Sequence, residues 1–246
     1  MEQLYNKKNN KTVLLYSGGM DSYIISKLKD FDTLLYIDIN SRYSKTELEI
    51  IKQQNIPNLV IDSRLNLGDM EHSTNFIVPA RNLFFIIIAT YYGDKITMGA
   101  LSGDRSSDKD IPFSQYSQTL LQHIYKESWW CDGREIEILL PFKNHTKKQI
   151  IEEYLNKGFD IKDLIYKSFS CYSPTENGQP CGVCKPCLRK WMSLRTFRNT
   201  KDVFFNNPED IWKVKIKEIE KNLDNPLLCR GEEDRETVEV WNRFYR

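Results

Sequence analysis

Ser17-Gly18-Gly19-Met20-Asp21-Ser22 is a run suited to holding an anion. The apolar stretch Thr12-Val13-Leu14-Leu15-Tyr16 precedes it, and a helix-compatible segment, residues 22–28, follows. A strand, a glycine-rich turn and a helix start bring backbone N–H groups and the positive end of a helix to a phosphate. The two serines add hydroxyl donors. Asp21 is the odd member, because a carboxylate repels a bare phosphate. A bridging Mg2+ ion or a helix-capping role would account for it. The spacing is not GxxxxGK[ST], since no lysine closes the loop. Serine and glycine also make ordinary turns, but strand and helix on the correct sides favour the phosphate.

Cys171, Cys181, Cys184 and Cys187 form a second group, spaced C-x9-C-x2-C-x2-C. Four thiolates in one short, turn-rich segment can close a tetrahedron around zinc. Gly182 and Pro186 suit the tight turns. Four protein sulfurs leave no open position, so such an ion folds the loop rather than doing chemistry. An iron–sulfur cluster also takes four cysteines, and spacing leaves both metals open. Cys131 and Cys229 stand apart and read as ordinary buried or free thiols. His72, His123 and His145 show no metal-ligand spacing.

Alternating elements must position these groups. Strands are expected at 13–16, 33–39, 58–62, 95–99 and 137–140. Helices are expected at 22–28, 45–55, 80–92 (long and buried), 113–129 and 147–157. This alternation predicts a mostly parallel, Rossmann-like sheet with helices on both faces, and ligands at the carboxyl ends of its strands. Beyond residue 157 the pattern breaks. Residues 172–186 are rich in Ser, Pro, Asn, Gly and Cys. From about 201 to 246 the chain turns helical and charged, with Trp212, Trp241, Phe244 and Tyr245 as aromatic anchors. Trp129-Trp130 reads as core or interface. The basic run Lys185, Arg189, Lys190, Arg195 and Arg198 reads as a solvated helix face or a contact for phosphate or an acidic partner.

The chain has 246 residues and a formal net charge of +1, which argues against a global basic field for nucleic acid. The longest apolar stretch, 83–90, is too short to span a bilayer. Residues 1–11 are polar, without a signal-peptide core. A soluble, cytoplasmic protein with no membrane partner is expected.

SGGMDS resembles the pyrophosphate loop of the N-type ATP pyrophosphatases. SGGMDS, VPARN at 78–82 and SCY…CGVCKPCLRK at 170–190 follow in that order. This arrangement resembles the 7-cyano-7-deazaguanine synthase (QueC-like) family of the adenine nucleotide α-hydrolase (HUP-type) fold, over about residues 12–195. The resemblance implies an ATP-pyrophosphatase domain at 1–160, a zinc-binding segment at 161–200 packed on it, and a helical extension at 201–246. It implies ATP, Mg2+ and structural Zn2+, with ammonia and a deazapurine carboxylate as substrates. Ser17, Gly18, Gly19, Met20, Asp21 and Ser22 would hold the pyrophosphate, and Tyr36 and Asp38 would border the adenosine. Arg42 and Glu47 fall in a segment similar to the family's helix entry. Arg81 and Asn82 would lie near the nucleotide or acceptor, and Lys147 matches a lysine of the family's TK-x-E-type motif. Asp21, Arg81 and Lys147 are the catalytic candidates.

The chemistry suits these residue types. A substrate carboxylate attacks the α-phosphorus and expels pyrophosphate, while N–H groups, Arg, Lys and a divalent ion stabilise the developing charge. Ammonia then displaces AMP, and a second activation permits dehydration to the nitrile. The match fails at 99–113, where the family has a stretch like D-x-S-G-Y-P-D-C-R. Asp104, Ser106 and Asp110 can be laid on it as substrate contacts; the tyrosine, proline, cysteine and arginine cannot. An alternative therefore keeps the adenylation but joins the deazapurine to another amine, on a protein or nucleic acid, as in a phage or antiphage modification system. A nucleotide sensor, a zinc-dependent RNA binder and a sulfur-transfer tRNA enzyme are weaker fits. The extension could pack on the domain or bind a protein partner, and a homodimer is expected by likeness to relatives.

Overall fold

Each central strand sends alternate side chains to opposite layers, the period-2 pattern of a sheet covered on both faces. In β1 (Thr12–Leu15) and β2 (Thr33–Ile37), Leu14, Leu34 and Tyr36 enter one core, and Val13, Leu35 and Ile37 enter the other. The structure is a computed structural model that describes residues 7–74 and 77–246; part of the polar 1–11 stretch therefore lies outside the described residues.

Strands β3 (Leu59–Asp62), β4 (Lys95–Thr97) and β5 (Glu137–Leu139) complete a five-stranded sheet of order β3-β2-β1-β4-β5, parallel throughout. Strand order reverses direction at β1, so the crevice at its carboxyl end is the topological switch point. On one face lie α1 (Met20–Leu28), α2 (Ser44–Gln53), α5 (Lys147–Asn156) and α6 (Ile161–Tyr166). Ile24, Ile51, Ile150 and Leu164 bury there. On the other lie α3 (Arg81–Ala89) and α4 (Ile111–Ile124), through Ile86, Ala89 and Leu121. A third core joins the cysteines to α7 (Lys185–Arg195), α8 (Pro208–Lys221) and α9 (Glu232–Tyr245). Trp191, Trp212 and Trp241 are buried in it.

The α/β architecture is the one expected, with local corrections. The helix expected over 80–92 is shorter, and it exposes Phe84 and Ile87 rather than being buried all round. Ala80 before it takes a left-handed conformation (φ 56°), which costs a non-glycine residue about 1–2 kcal/mol. The helix expected over 113–129 starts at Ile111 and ends at Ile124. Trp130 packs against Tyr125, whereas Trp129 is 96% exposed and belongs to no core. Helix α6 was not anticipated. The basic run is a solvated face only in part: Lys185 and Arg198 are exposed, whereas Lys190 is buried, Arg189 is ion-paired and Arg195 lies over Phe244.

Candidate active site and metal centre

The phosphate-type loop leaves β1 at the switch point. Gly18 takes φ +68°, a conformation that glycine adopts freely, and a Cβ there would meet Ile51 Cγ1 at 2.6 Å. Gly19 is extended and caps α1 without a side-chain bond, leaving amides at the helix start for a ligand. The loop is internally braced. Gly19 N donates to Ser17 Oγ at 3.3 Å, and Ser22 Oγ donates to Gly19 O at 3.1 Å. The first helical residue, Met20, buries its side chain.

Asp21, in the first turn of α1, pairs with Lys147, the first residue of α5. Local sequence fixes that lysine. Thr146 and Gln149 form a reciprocal capping box that sets the start of α5, and α5 packs on α1. Lys147 is 7% exposed, and its ammonium also acts on Asp104 and Glu233. Burial raises the Asp104 carboxyl, but Lys109, Arg189 and Lys147 outweigh it and hold the group well below its usual range. Arg189 joins Asp104 at 3.3 Å to Glu233 at 2.9 Å. Burial raises Glu233 as well, and Arg189 and Arg230 override it, bringing the carboxyl down to about 2.

At the carboxyl end of β2, Asp38 Oδ1 accepts from Asn40 N at 2.9 Å. Tyr36 itself points into the core, where its hydroxyl donates to Glu47 at 2.9 Å. Burial pushes the Glu47 carboxyl up to about 7, against the Tyr36 hydrogen bond and the charge of Arg81. Tyr43 and Tyr172 stack with ring centroids 5.5 Å apart, and Arg81 acts electrostatically on both hydroxyls. Arg42 instead pairs with Glu71 at 3.2 Å, and Asn82 Nδ2 donates to Asp108 O at 3.2 Å.

The residues laid on the acceptor stretch are committed to structure. Asp104 is in the ion network, Ser106 donates to Asp108, and Asp110 caps α4 by accepting from Phe113 N at 2.8 Å. Sequence inspection missed Glu233, Arg230 and Tyr43; their contacts bridge distant segments, and no local pattern marks them.

Cys171, Cys181, Cys184 and Cys187 bring their sulfurs within 4.8 Å of one another, and Cys171 and Cys184 stand 3.9 Å apart. Sulfurs about 2.3 Å from one tetrahedral ion lie about 3.8 Å apart, a spacing that four sulfurs so grouped can offer to a metal ion. Side-chain contacts with Cys171 and Cys187 hold the Cys184 thiol far below its ordinary value. Backbone amides of Ser173 and Cys181 also point at Cys171 Sγ, at 3.4 and 3.2 Å. Cys184 caps α7 and Cys187 sits in its first turn, where the helix dipole favours thiolate. Gly182 closes the knuckle; a Cβ there would strike Asn206 O at 2.0 Å.

A family model described as "Queuosine biosynthesis protein QueC" matches residues 50–198, more than half of the chain. The match takes in Arg81, Asn82, Lys147 and the four cysteines, and begins beyond the phosphate loop. A 7-cyano-7-deazaguanine synthase of Leptospira interrogans is 30% identical over 216 residues, covering 74% of this chain and 86% of that protein. One from Rickettsia conorii is 26% identical over 191 residues, covering 76% and 78% respectively. Among solved structures, the U34-tRNA thiolase NcsA from Methanococcus maripaludis aligns at 15% identity and a TM-score of 0.38, covering 97% of this chain and 73% of its own. So distant a likeness carries no chemistry across.

Proposed function

This chain belongs to the QueC family, and from that premise we propose that it adenylates the carboxylate of 7-carboxy-7-deazaguanine and, with ammonia, yields the nitrile. It is an enzyme of the ATP-dependent carbon–nitrogen ligase type. The carrying observation is the meeting of the braced glycine loop with the Asp21–Lys147 pair at the carboxyl end of β1.

Residues 17–22 would receive the β- and γ-phosphates on backbone amides, with Lys147 countering their charge. The substrate carboxylate attacks the α-phosphorus and the bond to pyrophosphate breaks. No protein nucleophile is required. Ammonia displaces AMP to give the amide. A second ATP is attacked by the amide oxygen, pyrophosphate leaves, and loss of AMP with a proton gives the nitrile. Each nitrile thus consumes two ATP. Mg2+, when bound, would be held by Asp21 and would screen phosphate charge. Zn2+, when bound to the four cysteines, would supply a structural crosslink.

Arg81 with the Tyr43–Tyr172 stack supports recognition of a carboxylated heterocycle, offering ring surface and a guanidinium where the 99–113 stretch does not. We propose that the chain forms a homodimer. An exposed apolar stripe, Tyr116, Leu120 and Ile124 on α4 beside Phe84 and Ile87 on α3, supplies a face for it. Among the described residues no helix is long and apolar enough to cross a membrane.

The test is a mass-resolved product assay with carboxydeazaguanine, ATP, magnesium and ammonia. Nitrile, AMP and pyrophosphate are expected, with a loss of about 100-fold or more in Lys147→Met. AMP formation that gives a conjugate with another amine, and no nitrile, would refute the assignment of the acceptor. Absence of pyrophosphate release would refute the adenylation.

A further inference from the structure

Three hydroxyls surround the phosphate loop, and two of them are spent on the loop itself. Ser22 Oγ donates to Gly19 O at 3.1 Å and accepts from Ser17 N at 3.3 Å. Ser17 Oγ accepts from Gly19 N at 3.3 Å and lies 3.2 Å from Ser22 Oγ. The third hydroxyl comes from Ser170, 150 residues along the chain from Met20. Its Oγ accepts from Met20 N at 3.3 Å, and lies 3.3 Å from where a Cβ on Gly19 would stand.

Met20 is the first residue of α1, so its N–H is one of the donors that the helix itself leaves unsatisfied. A serine hydroxyl accepts and donates at once. Ser170 accepts from Met20, and among the described residues its own O–H meets no acceptor. An oxygen of a bound phosphate at this helix start would stand beside that unspent proton.

Ser170 is also held in place. Phe169 N donates to Gly18 O at 2.8 Å, stitching the segment to the loop. Behind it, Lys190 of α7 is 5% exposed and donates to Ser168 O at 2.6 Å, Ser168 Oγ at 3.0 Å and Ile165 O at 3.2 Å. Burying an ammonium is costly unless its protons find acceptors, and here three acceptors surround it. Among these contacts Lys190 spends its amine on the turn that ends in Ser170. The next residue is Cys171, the first sulfur of the metal centre, which anchors the other side.

We propose that Ser170 is a pyrophosphate-binding residue, its hydroxyl bridging the Met20 amide and a phosphate oxygen, and that Lys190 is the positioning residue that holds it there. This rests on the adenylation described above. The metal loop then forms a wall of the phosphate site, not a remote staple.

The test measures binding of inorganic pyrophosphate and of ATP, each with magnesium, to the full metal-loaded chain and to Ser170→Ala, Ser170→Thr and Lys190→Met. A hydrogen bond to a charged group is worth about a 10- to 100-fold change in affinity. Ser170→Ala is expected to lose that much for both ligands at unchanged metal content and melting temperature. Ser170→Thr, which keeps the hydroxyl, is expected to restore it. Lys190→Met is expected to show the same loss while retaining its metal; if it fails to fold, the alanine–threonine pair decides. Ser170→Ala binding pyrophosphate as tightly as the parent would overturn the proposal, and pyrophosphate release from ATP by both would leave the adenylation standing. A parent chain that binds neither ligand would overturn the adenylation first, and this inference with it.

Discussion

Glu233→Gln removes one negative charge from the point where α9 meets Arg189 of α7. The Glu233 carboxylate accepts from Arg189 Nε at 3.0 Å and Nη2 at 2.9 Å, and also from Arg230. Its side chain is 9% exposed, so solvent screens little of this. The carboxyl moves from 4.5 to about 2, net of burial that opposes the change. At about 1.4 kcal/mol per pKa unit, that is roughly 3 kcal/mol of folding stability.

The sign follows from the direction. A carboxyl held low in the folded state contributes fully above its unfolded value of 4.5, and the contribution is lost as pH falls towards 2. Glutamine cannot titrate. Denaturant unfolding of parent and variant should therefore differ by about 3 kcal/mol at pH 7, or about 6–12 °C in melting temperature for a chain this long. By pH 3 the difference should shrink by about half, as the parent's advantage is titrated away. A gap under about 1 kcal/mol at pH 7, or an equal gap at both pH values, would refute the assignment of that charge to Arg189 and Arg230.

Three other outcomes follow from the same structure. Glu47, pushed up to about 7 by burial, is the opposite case: its contribution is present below 4.5 and lost as pH rises through 7. Glu47→Gln should match the parent to within about 1 kcal/mol at pH 5 and exceed it by about 3 kcal/mol at pH 8, measured by urea unfolding. Metal analysis should find about one zinc and no iron per chain; Cys184→Ser should lose the ion and, in hydrogen exchange, open the 168–206 region first. Leu120→Asp should turn a dimer into a monomer in sedimentation without changing adenylation per chain, and a parent that is already monomeric rules out the stripe as an interface.

The glycine loop and the cysteine cluster were legible because the residues of each are close in sequence. SGGMDS packs its donors into one turn, and the cysteines fall within 17 residues. The sheet was legible for a related reason: strands such as TLLYI are short, near-continuous apolar runs of β-formers bounded by turn residues. Helix α6 was lost because it is six residues long and follows a break at Gly158. Trp129 misled because bulk and apolarity are no guarantee of burial. The contacts of Ser170, Lys190 and Glu233 were invisible for a different reason. Each acts across the chain, on Met20, on the 165–168 turn and on Arg189, and no periodicity reports a tertiary hydrogen bond.

Lys147 and Asp21 together explain why this loop should prefer a metal-bound nucleotide to a bare anion. In the structure each neutralises the other, with side chains only 9% and 24% exposed. An anion alone could pair with Lys147 but would leave Asp21 facing like charge, a stranded carboxylate that is expensive at such burial. A cation alone would take Asp21 and leave the ammonium without its partner. Phosphate arriving with a divalent ion replaces both partners at once, so the pair can part with neither charge uncompensated. The ion chain beyond it, Asp104–Arg189–Glu233–Arg230, alternates in sign and is already paired. It therefore offers no free charge to a new anion, which is why the proposed adenylation is expected to bring the incoming charge to the glycine loop and Lys147.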